Sequence, residues 1–359
     1  MYSVIDLFSG CGGFSSGFYK NGYDIVAAVE FDKQIANSYA KNHQNTKVFN
    51  DDIKNIDEQG LLDDFKADII IGGPPCQGFS MAGARIRKNF IDDPRNYLFK
   101  YYVNIVKKIQ PRIFLMENVK GILSMEKGKI FKEIKNSFEK LGYFINYKIL
   151  KASDFGIPQT RERVVIIGSK ISYDLDEVFE KAKENIKREN PNFFNKISVW
   201  DAIFDLDEPS DTGVVKSKKD SNSYLDFIGK KFENIQNHIT TAHSVKAKER
   251  MSKINNGENY KILDEKIKSI HSGSYGRLEF DKPSPTITTR FDTPAGGRFI
   301  HPIENRTITP REGARIQSFS DDFIFYGSKT SICKQIGNAV PPKLAYFLSE
   351  VVKIILNQR

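Results

Sequence analysis

The sequence predicts an α/β fold: a doubly wound, mostly parallel sheet with helices on both faces, joined to a smaller irregular module. Three observations carry this. Short apolar runs alternate with helical stretches through the first 170 residues, the pattern of strand–helix–strand units. A glycine turn, Asp6-Leu7-Phe8-Ser9-Gly10-Cys11-Gly12-Gly13, follows the first run and opens a helical pattern. From about Lys170 the texture changes to Asn, Lys and Ser with few apolar runs.

The expected strands are Val4–Phe8, Ile25–Val29, a weak run before Asp52, Asp68–Ile71, Ile113–Met116, Ile145–Leu150 and Val164–Ile167. Their lengths of four to six residues suit buried strands. Ile130–Leu141 places Ile130, Ile134, Phe138 and Leu141 at helical spacing with lysines on other faces, which predicts an amphipathic surface helix. Residues 171–210 hold 5 basic against 10 acidic side chains, and residues 211–310 hold 17 against 12. The sign change marks a separate module, and the Lys216–Lys219 stretch reads as a solvated loop. Leu344–Leu356 is again an apolar helix, expected to pack back onto the first domain. The boundaries follow as 1–185, 186–321 and 322–359, the last segment rejoining the first.

A chain of 359 residues allows about two domains with full cores. Lys plus Arg exceed Asp plus Glu by 54 to 45, and the resulting +9 suits an acidic polymer as partner without requiring one. No apolar run reaches the ~18 residues needed to cross a bilayer, and MYSVIDLFSG lacks the basic start of a secretory signal. A cytoplasmic protein with no membrane partner is expected. Cys11, Cys76 and Cys333 form no C-x-x-C pair, so neither a disulfide framework nor a metal cage is encoded.

The first half carries the marks of a nucleoside pocket. Glycines at a strand-to-helix turn let backbone approach a ligand. The dinucleotide fingerprint is not met, because Ser15 stands where its third glycine belongs. Glu30 ends the second strand about 20 residues on, where an acid can accept hydrogen bonds from both hydroxyls of a ribose. Asp52 follows the next strand and is placed for the amino group of an adenine. Each acid alone is as well explained as a loop carboxylate; turn, ribose acid and adenine acid together are not.

Chemistry is expected from Gly72-Gly73-Pro74-Pro75-Cys76-Gln77-Gly78-Phe79-Ser80, immediately after the fourth strand. The carboxyl edge of an open α/β sheet is where ligands bind. Two prolines stiffen the approach to Cys76, whereas a structural cysteine more usually lies inside a strand or helix. A zinc deaminase would need P-C-x-x-C, and Phe79 occupies its second cysteine position. Glu117 and Asn118 close the fifth strand on the same edge, and Arg161 and Arg163 precede the strand Val164–Ile167. Arg85, Arg87 and Lys88 follow the cysteine turn and are placed to hold phosphates.

These residues resemble the DNA cytosine-5 methyltransferase family of bacterial restriction-modification systems. The ordered motifs are DLFSGCGG at 6–13, EFD at 30–32, DDI at 51–53, GGPPCQGFS at 72–80, MENVKG at 116–121, GIPQTRERV at 156–164, RTITPREGARIQSF at 306–319 and QIGNAVPP at 335–342. They span the chain apart from about 171–280, where the family varies. The resemblance implies a Rossmann-like S-adenosylmethionine-dependent domain with Phe8, Gly10, Gly12, Glu30, Phe31, Asp52, Ile53, Pro75 and Asn338 around the cofactor. Phe31 stands where many relatives carry Trp, and Ser9 replaces a frequent Ala; no catalytic residue is lost. Cys76 is then the nucleophile, with Glu117, Asn118, Arg161 and Arg163 as its partners.

The expected activity is methylation of carbon 5 of a flipped cytosine in a specific duplex sequence. The expected partner is double-stranded DNA, with a cognate endonuclease acting separately and the enzyme itself a monomer. Sequence choice is expected within about residues 186–305, chiefly near Ser272–Arg298, with Thr286, Thr288 and Arg290 on the DNA. Methylation of cytosine in a tRNA is the nearest rival; a noncatalytic nucleic-acid-binding protein would have lost Cys76 or Glu117.

Overall fold

A computed structural model describes residues 1–75, 98–265, 267 and 272–358. The chain divides into two compact units. The first is Met1–Lys151, Glu162–Arg188 and Ala345–Arg359; the second is Ala152–Arg161 and Glu189–Leu344.

The first unit is built on a seven-stranded sheet of order β3-β2-β1-β4-β5-β7-β6. Its strands are β1 (Ser3–Leu7), β2 (Asp24–Val29), β3 (Lys47–Phe49), β4 (Ile69–Gly72), β5 (Ile113–Val119), β6 (Phe144–Lys151) and β7 (Glu162–Ser169). β1 to β5 pair in parallel, while β7 runs antiparallel to both β5 and β6. The sheet is thus mixed, as an apolar run such as Val164–Ile167 buries equally well in either direction. Chain order reverses between β1 and β4, and such a switch point opens a crevice at the carboxyl ends of the strands.

Helices cover the sheet. The expected amphipathic helix forms over Lys129–Glu139 and buries Ile130, Ile134 and Phe138. The Phe138 ring lies 4.0 Å from that of Phe114 on β5. Within this unit the C-terminal helix, Pro342–Asn357, is tied down at its middle and its end: Tyr23 donates from its hydroxyl to the Ser349 carbonyl at 2.7 Å, and Arg112 donates to the Leu356 carbonyl at 3.0 Å.

The second unit has short helices, Val199–Ile203, Ser223–Ile228, Val245–Ser252, Pro310–Ile316 and Lys329–Asn338, separated by irregular chain. Buried arginines do the organising. Arg311 donates to the carbonyls of Gln236, Ser320 and Phe323 at 2.7–2.9 Å. Arg315 pairs with Asp321 at 2.7 Å and Asp205 at 2.5 Å. Arg277 donates at 2.7 Å to the carbonyls of Met251, Ile254, His301 and Glu304 and to the Asn305 amide oxygen. Among the described residues, no helix is long and apolar enough to cross a membrane.

Candidate active site

The glycine turn begins where β1 stops. Phe8 adopts φ 56°, which ends the extended strand one residue earlier than its apolar run. Gly10 and Gly12 follow at φ 56° and 98°, a region that side chains resist. At Gly12 a Cβ would also fall 2.3 Å from His43 Cε1, so the turn is closed underneath. At Gly10 no atom of the described residues beyond the adjoining chain lies within 4 Å of that position, so the turn is open above among them. Glu30, just past β2, clamps it: Oε2 accepts from Gly10 N at 3.0 Å and Oε1 from Asp32 N at 2.8 Å. Phe31 beside it is 72% exposed. Asp52 caps the helix Ile53–Glu58 by accepting from Lys54 N at 2.9 Å, and Ile53 is buried behind it.

Under the turn lies a polar network that sequence reasoning missed. Ser15 Oγ donates to the buried Asp6 carboxyl at 2.6 Å and lies 2.7 Å from the Tyr39 hydroxyl. The Tyr39 ring stacks on His43 at 4.4 Å. Burial pushes Asp6 up to about 7, with the nearby Glu30 charge adding to the shift, and burial pushes His43 down to about 4. The signal available in sequence was an acid at a buried position of the run Val4–Phe8.

On the other side of the switch point, β4 leads into the proline turn. Gly72 lies so close to β1 that a Cβ would meet the Leu7 carbonyl oxygen at 2.3 Å. Asn118, buried at the end of β5, donates from its amide to the Pro74 carbonyl at 3.1 Å and accepts from Val119 N at 2.8 Å. It thereby fixes the chain just before Pro75, which is half-buried. Glu117 and Arg163 meet because β7 is antiparallel: Val119 pairs with Arg163, which puts Arg163 diagonally across from Glu117 on one face. Arg163 Nε lies 2.9 Å from Glu117 Oε1, an ion pair whose angle falls outside hydrogen-bond geometry. Cys76, Arg85, Arg87 and Lys88 lie outside the described residues. Of the other two cysteines, both buried, Cys333 is pushed up to about 12 and the Cys11 thiol higher still, in each case chiefly by burial.

Arg161 belongs to the second unit. Its buried guanidinium donates to the Gly337 carbonyl at 2.9 Å and approaches the Ile287 carbonyl at 3.5 Å. Thr288 and Arg290 are exposed, Thr286 is half-buried, and Asn338 is exposed at the end of the helix Lys329–Asn338. Arg277, within the stretch expected to read DNA, is instead consumed by five bonds within the chain, three of them buried and two part-buried. Gln159 and Gln317, fully buried, are the polar residues here that no periodicity or motif chemistry singled out.

The structure thus brings Glu30 to the glycine turn, and Glu117, Asn118 and Arg163 to the edge of β4 and β5. Residues 2–353 match the family described as C-5 cytosine-specific DNA methylase. The chain belongs to that family. As a DNA cytosine-5 methyltransferase it is 38% identical to the Type II methyltransferase M1.HphI of Haemophilus parahaemolyticus, over 98% of this chain and 86% of the relative. It is 37% identical to M.DdeI of Desulfomicrobium norvegicum, over 97% and 88%. Among solved structures, a prophage-encoded E. coli protein assigned as a DNA modification methyltransferase superposes with a TM-score of 0.78 at 30% identity, covering both chains fully. Dnmt2 of S. pombe, at 19% identity and a TM-score of 0.63 with both chains fully covered, shares the fold.

Proposed function

We propose that this methyltransferase uses S-adenosylmethionine to methylate carbon 5 of a flipped cytosine in a specific duplex DNA sequence, through a transient thioether at Cys76. The observation that carries the reading is the Glu117–Arg163 pair, 2.9 Å apart at the sheet edge, beside a proline turn anchored by Asn118 on the Pro74 carbonyl. Cys11 and Cys333 are buried with raised thiol pKa values and make poor nucleophiles, which leaves Cys76 for the chemistry.

The first unit suits the cofactor. The open side of Gly10 leaves room for a ligand against the backbone. Glu30, held at the glycine turn, is placed to accept from ribose hydroxyls, and Phe31 offers an aromatic face to a purine. Phe8, Gly12, Asp52, Ile53, Pro75 and Asn338 complete the proposed set. Once bound, the cofactor supplies an electrophilic methyl group on a sulfonium.

Carbon 5 of cytosine is a poor nucleophile until electron density is added to the ring. Cys76 Sγ, as thiolate, forms a bond to carbon 6. Glu117 holds N3 and the exocyclic amine and shares a proton with N3, stabilising the charge that develops there. Arg163 keeps that carboxyl oriented and lends positive charge to the thiolate. The methyl group is accepted at carbon 5, the carbon 5 proton leaves to a base, and the carbon 6–sulfur bond breaks to return the thiolate. A stacked base is out of reach of these groups, so the nucleotide is extruded.

The +9 charge suits double-stranded DNA, with Arg85, Arg87 and Lys88 on phosphates and Thr286, Thr288 and Arg290 on base edges. The relatives named as Type II methyltransferases support a role in restriction-modification, beside a separately acting endonuclease. The test is Cys76→Ser, which should abolish methylation in bisulfite sequencing of a host plasmid while DNA binding persists. A duplex carrying 5-fluorocytosine should trap the wild type covalently. An adduct mapping to Cys11 or Cys333 would overturn the assignment.

A further inference from the structure

The segment Thr286–Arg290 belongs to no helix or strand, yet Ile287 within it is fully buried. A buried peptide without a ladder still needs partners, and both polar groups of this one find side chains. Ile287 N donates to Gln159 Oε1 at 2.9 Å, and the Ile287 carbonyl faces the Arg161 guanidinium at 3.5 Å. Gln159 is itself held in one orientation. Its amide donates to Gln317 Oε1 at 2.8 Å, and the Gln317 amide donates to the Ile336 carbonyl at 2.7 Å. Each amide accepts on one side and donates on the other, so neither can flip without breaking two bonds.

Gly337 closes the arrangement. It lies in the helix Lys329–Asn338, and its carbonyl takes the shorter Arg161 bond at 2.9 Å. A Cβ at Gly337 would fall 2.5 Å from the carbonyl carbon and oxygen of Thr288 and 2.7 Å from Thr289 N. Backbone is packed directly on backbone, with no side chain between to yield.

We infer that Gln159, Arg161 and Gly337 are positioning residues for sequence selection: they fix the main chain at Ile287–Thr289 and so aim the exposed side chains of Thr288 and Arg290. The inference rests on the reading of Thr286–Arg290 as a DNA-reading segment. Hydrogen bonds weaken steeply with distance and angle, so a shift of about an ångström in the main chain is enough to spoil a base contact. Arg161 acts here through two carbonyls of the chain itself, separately from the Glu117–Arg163 pair.

The experiment measures kcat/KM on the recognised site and on sites with one base changed, and takes the ratio. That ratio is independent of the fraction of enzyme that is folded, so a variant that only loses stability leaves it unmoved. Gly337→Ala favours the helix by intrinsic propensity, about 1 kcal/mol, while its Cβ must displace Thr288. Gln159→Met keeps an unbranched side chain of similar size and loses both bonds. Each is expected to lower the ratio about 10-fold or more. Arg161→Lys, which keeps the charge but loses the fork, is expected to act in the same direction; a uniform loss of rate with the ratio intact would overturn its part. Thr288→Ala and Arg290→Ala test the underlying reading. If they relax the ratio while Gly337→Ala and Gln159→Met leave it within twofold, the inference fails and the reading stands. If all four leave it unchanged, both fail.

Discussion

The glycine turn of the first unit and the Thr286–Arg290 segment of the second are both irregular chain, held by opposite means. The turn hangs from strand ends: Ser9 N donates to the Val29 carbonyl at 2.9 Å, and Glu30 reaches Gly10 from the next strand over. Strand register carries Glu30 to the turn. The Thr286–Arg290 segment has no ladder to hang from and is gripped by Gln159 and Arg161. Placement by register needs apolar runs of the right length, whereas placement by side chains needs particular polar residues at particular positions. The second kind is the easier to break with one substitution.

The largest effect is expected where register and chemistry meet. Glu117→Gln keeps the shape but removes the charge that faces Arg163, and kcat should fall about 10²–10³-fold, as for loss of one stabilising group at a developing charge. Single-turnover methylation at saturating DNA checks this, and unaltered turnover would place the carboxyl outside the chemistry. Next in size is a loss of stability. Arg277→Met leaves four carbonyls and an amide oxygen without their donor, and should destabilise by at least about 3 kcal/mol. Arg290→Ala, at an exposed position, should stay within about 0.5 kcal/mol. Denaturant unfolding followed by the single tryptophan, Trp200 of the same unit, reads both.

A smaller effect sharpens the other side of the comparison. Glu30→Gln should weaken S-adenosylmethionine binding by about 1.5–3 kcal/mol, with DNA affinity little changed. Calorimetry giving wild-type cofactor affinity would remove Glu30 from the pocket. Asp52 is a poorer probe, because it also caps the helix Ile53–Glu58.

The remaining expected effect is a slope with pH, not a single loss. Asp6 titrates near 7 in the folded chain against 3.8 when unfolded, so folding takes up a proton between those values and the stability this confers is lost as pH rises through about 7. His43, lowered to about 4 from 6.5, works in the other direction: its cost appears as pH falls below 6.5. In the wild type the two slopes oppose. Asp6→Asn removes one, so the variant's stability relative to wild type should rise with pH between about 4 and 7, by up to about 1.4 kcal/mol per pH unit. A flat difference would mean that Asp6 ionises normally.

How much was legible beforehand follows the same division. The strands and the residues at their ends, Glu30, Glu117 and Asn118, were readable because alternation of apolar runs and turns is local information. Phe8 was assigned to its strand because an apolar side chain says nothing about a positive φ. Asp6 escaped notice because its partner Ser15 and the stack of Tyr39 on His43 depend on packing between three elements. Gln159 and Gln317 meet across 158 positions of sequence, and no period or motif spacing reports such a pairing. Arg277 was grouped with groove-reading residues on composition, which gives a buried guanidinium and an exposed one the same letter.

Arg277 also bears on what the loops around it can carry. Four of its five bonds end on main-chain oxygens, which every amino acid supplies alike. The hub therefore places almost no demand on what the surrounding loops carry as side chains. Substitutions at their surfaces can accumulate while the same cation keeps the loops gathered. A scaffold indifferent to the letters it displays tolerates point changes on its surface without having to refold.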